Sequence, residues 1–348
     1  MEEENFTYQH QKLDDKTQQE ISQALSDKKK NYNCVKIFQE NKKKTIGEIC
    51  HQKKKEPKQI ALCKLKTTII DELRLCYVAK SSLLKQLRCC KIAERIYFTD
   101  FYVIRVRSRY FHFTFYLCQD NQEQKQFATL NFDRIGNDTN NYVWYRPENW
   151  VLYDNNTLKY TLTIPQFFDL TFNNITALDL AKDFTMNITN LIKRYYRDKN
   201  ITTIVNGKAI RNRKQSIPEF HMSFEVTLNR LKNPTFYAKQ RKALHDKTKG
   251  ICVSSYNKKA EIEGVSGKEY ILDYYNRPKS LYRLEVHQNS NEIRNYCNSR
   301  HIIQCADLIF NEEFLTNMFF CHLASVVRFT RGRQKLDWRD ILSSDGAI

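Results

Sequence analysis

The chain has 348 residues, 41% of them hydrophobic, with 21 Phe and 20 Tyr, so apolar surface suffices for a sizeable core and global disorder is not expected. Its formal net charge is +18 and its isoelectric point lies near 9.3, an excess that favours a polyanionic partner, because each Lys or Arg set on a phosphate releases condensed counterions. No apolar run approaches the roughly 18–20 residues of a membrane span, and the eleven cysteines include no CxxC pair, which argues against a membrane anchor of that kind and against structural zinc.

Residues 1–65 carry fourteen Lys, no Arg and ten acidic residues, with lysine triplets at Lys28–Lys30, Lys42–Lys44 and Lys53–Lys55. The stretch reads as a lysine-rich polar extension, partly helical or disordered, whose charges suit DNA backbone contact or plain solvation. Its opening, MEEENFTYQHQKLDDK, has no apolar signal core, which points to a cytoplasmic protein. From Thr67 the pattern changes. TIIDELRLCYVA predicts a strand, with a helix left open because the run is short, and SSLLKQLRCCKIAERI a helix capped by Ser81 or Ser82. FTDFYVIRVRSRYFHFTFYLCQ alternates apolar with polar residues and predicts two strands bent about Arg107–Arg109. TLNFDRI and KYTLTIP predict further strands, set apart by the turn-rich GNDTNN and YDNN. ITALDLAKDF predicts another strand, and TNLIKRYYRD, over Thr189–Asp198, a short helix. HMSFEVTLN, GICVSSYN and LYRLEVHQ predict three more strands, and the Leu-, Phe- and Ile-rich stretch 301–326 predicts a C-terminal helical segment packed on the rest. No internal repeat is visible. The mixture predicts an α+β fold, with a mainly antiparallel sheet covered by helices on one side.

Three segments carry candidate chemistry. In ITALDLAKDF, strand alternation places Asp179, Ala181 and Asp183 on one face. Two carboxylates about a small residue leave room for a hard cation such as Mg2+ or Mn2+. Asp183 reads equally well as the cap of the following helix. In LYRLEVHQ, Arg283, Glu285 and His287 share a face. Glu285 and His287 could complete a cation site and Arg283 could hold a phosphate, or the row could be an exposed face with a plain ion pair. In GICVSSYNKKAEI, Gly250 permits a tight entry and Tyr256 ends the strand beside Lys258 and Lys259. A phenol can attack a phosphodiester, and a neighbouring ammonium favours the phenolate and offsets charge on the phosphorus. With 20 tyrosines in the chain, a Tyr-x-Lys-Lys run alone is a weak signal.

The order of these segments adds specificity. An Asp strand, a Tyr-Asn-Lys-Lys-x-Glu segment and an Arg-Leu-Glu strand together resemble the rolling-circle replication initiators of filamentous phages and small plasmids. VNGKAI at Val205–Ile210 and LKNPTFYAKQRK at Leu231–Lys242 are similar too, and the resemblance spans roughly Thr67 to Ser299. It implies a nickase and DNA-binding domain over 66–300, built on a five-stranded or larger antiparallel sheet. It implies Tyr256 as the nucleophile that attaches to the 5′ end and frees a 3′-OH primer, with Lys259 assisting. It implies Asp179 and Glu285 as carboxylates for Mg2+ or Mn2+, with Asp183 and His287 as further candidates. The implied partners are single-stranded or hairpin origin DNA and a host helicase and polymerase, with a homodimer left open and no membrane. The chain departs from many related nickases in having no His-hydrophobic-His motif, which counts against a transposase or mobilisation relaxase; His112, His221 and His287 stand apart. His221 and Glu225 are candidates for a further ligand, or His221 a core histidine. No GxxxxGK[ST] run signals a fused helicase.

Basic residues interleaved with aromatics suit single-stranded DNA, where bases stack and phosphates pair. Lys239, Arg241, Lys242, Lys247 and Lys249 surround Phe236 and Tyr237, and Arg211, Arg213 and Lys214 form a second basic turn. With Lys258 and Arg283 these are the candidate DNA contacts, and Arg328, Arg331 and Arg333 could add duplex contacts. The competing reading is a sequence-specific DNA binder without catalysis.

Overall fold

A computed structural model of the chain describes residues 67–121, 123–136, 141–210, 220–228, 231–240 and 250–343. The lysine-rich extension lies outside them, as do Arg211, Arg213, Lys214, Arg241, Lys242, Lys247 and Lys249, together with the side chains of His221 and Glu225.

Eleven strands form one sheet in which every pairing is antiparallel. In chain order they are β1 (Ile69–Val78), β2 (Arg95–Tyr97), β3 (Phe101–Val106), β4 (Phe111–Gln119), β5 (Gln126–Arg134), β6 (Tyr142–Pro147) and β7 (Thr171–Phe184), then β10 (Phe220–Leu228), β11 (Leu231–Lys239), β12 (Cys252–Asn257) and β13 (Tyr282–Asn289). Their order across the sheet is β10-β11-β12-β13-β7-β1-β6-β5-β4-β3-β2. A small second sheet joins β8 (Ile201–Val205) and β9 (Lys208–Ala209) to a C-terminal hairpin, β14 (Val327–Arg331) and β15 (Gln334–Leu336). Gly207, at φ +78°, makes the β8–β9 turn that a side chain would strain.

One face of the large sheet is the core. Leu73, Leu75, Leu178, Leu180, Val253, Leu284 and Val286 point into it and are buried. Against them pack α1 (Ser81–Cys89), α2 (Asn155–Phe167), α3 (Ile188–Arg197), α6 (Ser290–Asn298) and α7 (Glu312–Val326). The side chains of α7 belong to the same cluster, so residues after 300 extend this core. Among the described residues the opposite face is covered at one end only. There α4 (Lys258–Glu261), a π-helical turn and α5 (Glu269–Tyr274) bring Ile262, Ile271, Leu272, Tyr275 and Leu281 into a small separate cluster. The short α8 (Trp338–Ser343) closes the described chain.

Some sequence expectations fail locally. KYTLTIP lies in the helix α2, not a strand. The Asp154 side chain caps it, accepting from the Asn156 N–H at 3.1 Å and from the Thr157 hydroxyl at 2.6 Å. Leu158, Thr161, Leu162 and Pro165 are then buried at helical spacing, which outweighs the local Thr-Leu-Thr-Ile alternation. YVWYRP, passed over in the sequence, forms β6 and buries Val143 and Tyr145. The first helix stops at Cys89, and its N-cap position is Lys80 with no side-chain cap bond, not Ser81 or Ser82.

Candidate active site

The site is built on three adjacent strands. Along β13, Arg283, Glu285 and His287 face away from the core. In register, Arg283 lies between Tyr256 of β12 and Asp183 of β7, Glu285 between Ser254 and Ala181, and His287 between Cys252 and Asp179. Paired residues of an antiparallel sheet share a face, so all nine stand on the side opposite the helical layer. On the next strand outward, Tyr237 pairs with Ser254 and Lys239 with Cys252, which puts both on this face, with the Lys239 ammonium 5.1 Å from the Tyr237 ring centre. Phe236 points the other way and is core.

The Tyr256 hydroxyl donates to Glu285 Oε2 at 2.8 Å. Burial and the negative Asp71 nearby push the Glu285 carboxyl up to about 7, against the pull of Arg283. Burial and Glu285 together hold the Tyr256 phenol well above its ordinary value. This corrects the expectation that a neighbouring lysine lowers it. Lys259 Nζ donates to the carbonyls of Pro278 and Lys279 at 3.2 and 3.3 Å, tying α4 to the segment before β13. Lys258 is 2% exposed, with its ammonium 2.9 Å from Glu261 Oε2 and 5.7 Å from the Tyr256 ring centre. As placed it is a buried counter-charge, not a surface contact for phosphate.

The next pair in the row is His287 and Asp179, joined through His287 Nδ1 and Asp179 Oδ1. That bond, with the Asp179 charge, holds the imidazole above its ordinary pKa although burial opposes it. Burial raises the Asp179 carboxyl, and His287 opposes the rise.

Arg283 is 0% exposed and serves a different purpose from the phosphate contact expected of it. It clasps Asp183 in a two-pronged pair, Nε to Oδ1 at 2.8 Å and Nη2 to Oδ2 at 2.7 Å. Nη1 lies 2.5 Å from Asp71 Oδ1 as an ion contact rather than an aligned hydrogen bond, and Nη2 also donates to the Tyr153 hydroxyl at 2.8 Å. Tyr153 in turn donates to Asp71 at 2.7 Å. Although burial works to raise it, the Asp71 carboxyl lies well below its usual range under Arg283 and Lys258. Both oxygens of Asp183 are therefore spent on a guanidinium, which removes it as a cation ligand. It caps no helix either, since the N-cap of α3 is Asn187, whose side chain accepts from the Asn190 N–H at 3.0 Å. Asp71 and Tyr153 were missed in the sequence. Asp71 had a legible signal, an acid set between Ile70 and Leu73 of an apolar strand; Tyr153 had none.

Asp179, Glu285 and His287 offer two carboxylates and an imidazole on neighbouring positions, a donor set that suits Mg2+ or Mn2+. As they stand these side chains bond to each other and to Tyr256. Among the described residues no group of three or more His, Cys, Asp or Glu is arranged to hold a metal ion. Coordination there requires the Asp179–His287 and Tyr256–Glu285 bonds to open. No described helix is long and apolar enough to cross a membrane.

No protein-family model matches the chain, and no curated protein matches its sequence.

Proposed function

We propose that the protein is a replication initiator that nicks one DNA strand at an origin through Tyr256. The observation that carries this reading is the Tyr256–Glu285 hydrogen bond on the face of the sheet opposite the helical layer, with Asp179 and His287 next in the row. In the reaction, the Tyr256 oxygen attacks the scissile phosphorus and forms a P–O bond. The bond to the 3′ oxygen breaks and that oxygen takes a proton from solvent, leaving a 5′-phosphotyrosine and a 3′-OH that a host polymerase can extend while a host helicase unwinds the duplex. The phenol is too weak an acid to lose its proton unaided at neutral pH. Glu285 accepts it, and a carboxylate poised near pH 7 is matched to that task. The bond to Asp179 favours the charged form of His287, which puts a group able to carry positive charge beside the reacting phosphate when no cation is bound. A divalent cation among Asp179, Glu285 and His287 would polarise the non-bridging oxygens. Tyr237 and Lys239 offer a ring and an ammonium to the strand as it crosses the face.

The test is incubation with labelled single-stranded origin DNA and Mn2+, followed by a denaturing gel. Label travelling with the protein, and lost in Tyr256→Phe while DNA binding survives, supports the nickase. Binding that is indifferent to EDTA, with no adduct, supports the competing reading of a non-catalytic, sequence-specific DNA binder. That reading is favoured by the raised phenol and by the present pairing of the candidate ligands.

A further inference from the structure

The large sheet repeats one winding. β1 leads through α1 into β3, β4, β5 and β6, and β6 returns to pair with β1. β7 leads through α3, and past β8 and β9, into β10, β11, β12 and β13, and β13 returns to pair with β7. The two windings meet antiparallel along β1 and β7, so a pseudo-twofold axis normal to the sheet relates them. Superposing the helix starts Ser81 and Ile188 sets Glu72 on Asp179, and these two are register partners at the axis. The strand registers then carry Arg146 onto Glu285 and Asn131 onto Tyr256. The first winding thus keeps the platform but has an amide where the second has its nucleophile and a guanidinium where the second has its proton acceptor.

The outer face of this first winding is neither core nor plain polar surface. Tyr97, Tyr116 and Tyr142 are 46%, 37% and 40% exposed, and Trp144 is partly exposed beside Tyr142, with ring centres 6.4 Å apart. One register row runs Tyr116–Thr129–Arg146, and another runs Asn131–Trp144–Cys76. Arg74 and Arg146, each about half exposed, flank these rings; Glu72 lies 2.5 and 3.9 Å from them, and Glu148 accepts from the Thr129 hydroxyl at 3.3 Å on the same face. Antiparallel sheets ordinarily turn polar residues to water on such a face, and exposed rings there mark a contact surface. Rings spaced on a sheet and flanked by guanidinium groups fit stacked bases and their phosphates rather than a continuous apolar partner. The patch is also continuous with the tyrosine row, because Glu72 lies beside Asp179.

We propose that the open face of the first winding is a non-catalytic platform for single-stranded DNA, which holds the strand on one side of the cleavage point while Tyr256 acts on the other. This rests on the nickase reading for its purpose but not for its test. The experiment is fluorescence anisotropy of a labelled oligothymidylate with the full-length chain, comparing the parent with Trp144→Ala, Tyr116→Ala, Arg146→Glu and Arg294→Ala. Each of the first three weakens binding about tenfold or more. Arg146→Glu also flattens the salt dependence, with a slope lower by about one or more. Arg294→Ala, at an exposed position on the helical side of the sheet, leaves affinity within about twofold of the parent. Arg146 is about half exposed, and the melting temperature of that variant, measured alongside, separates lost contact from lost fold. Weaker binding by the platform variants, with no adduct from the parent on origin DNA, keeps the platform and removes the nickase. Unchanged oligonucleotide affinity in all three platform variants overturns the inference, and a change in the mass of the chain in solution in its place assigns the face to a protein contact.

Discussion

The substitution Arg283→Leu should make the protein unfold more readily, not merely weaken its grip on DNA. The arginine side chain is fully buried between Asp183 and Asp71 and makes both prongs of the Asp183 pair. Its removal leaves the Asp183 side chain buried without its guanidinium. Breaking a buried pair in this way costs about 3–5 kcal/mol, because the desolvation of the remaining charge is no longer offset. Asp71 fares better, since Tyr153 still donates to it and the Lys258 charge remains near, so the cost should not double. At about 1.4 °C per kcal/mol for a chain of 348 residues, the expected fall in melting temperature is roughly 4–7 °C. Thermal unfolding followed by circular dichroism, with oligonucleotide affinity measured below the transition, gives both quantities. Arg283→Lys keeps the charge but loses the fork and should fall between the two. If the Arg283→Leu protein melts within about 2 °C of the parent yet binds DNA markedly less well, Arg283 returns to the role of phosphate contact and the buried-clasp account is refuted.

Two further outcomes follow from the same face. The folded-state pKa of Glu285, about 7, lies above its ordinary value of 4.5. Its contribution is therefore fully present below about pH 4.5 and is lost as pH rises through 7, and that of His287, also raised, is lost in the same direction. Without added metal, the melting temperature should decline between about pH 5 and pH 8, and Glu285→Gln should flatten the decline, with the His287 share remaining; a decline of equal size in the variant contradicts the assignment. Mn2+ should raise the melting temperature by mass action, more at pH 8 than at pH 6 because Glu285 must be ionised to coordinate. EDTA should reverse the shift, Asp179→Asn should abolish it, and a shift that persists in Asp179→Asn places the cation elsewhere.

Much of the site was legible because strand alternation has a period of two. That rule alone puts Asp179 with Asp183, and Glu285 with Arg283 and His287, on common faces, and the structure sets those strands side by side. What alternation cannot give is which charged residue neutralises which. Arg283 and Asp183 pair across β13 and β7, and Asp71 enters at a register shift of β1 between Ile70 and Glu72, so long-range pairing decides that they are structural. Lys258 looked like a surface ammonium because it follows Tyr256, but the turn into α4 carries it inward to Glu261. The α2 segment misled because Thr and Ile favour strands locally, while the Asp154 cap and the buried stripe from Leu158 to Pro165 act over two turns. The doubled winding left no trace in the sequence. Its halves share strand order and register, not residue types, as Arg146 and Asn131 in the places of Glu285 and Tyr256 illustrate.

The measurement that bears most directly on the central claim is peptide mapping of the protein after reaction with single-stranded origin DNA and Mn2+ and digestion of the bound strand. Mass spectrometry should find a phosphonucleotide on the peptide that contains Tyr256, and on that residue within it. A covalent nucleotide on any other tyrosine, with Tyr256 unmodified, contradicts the account.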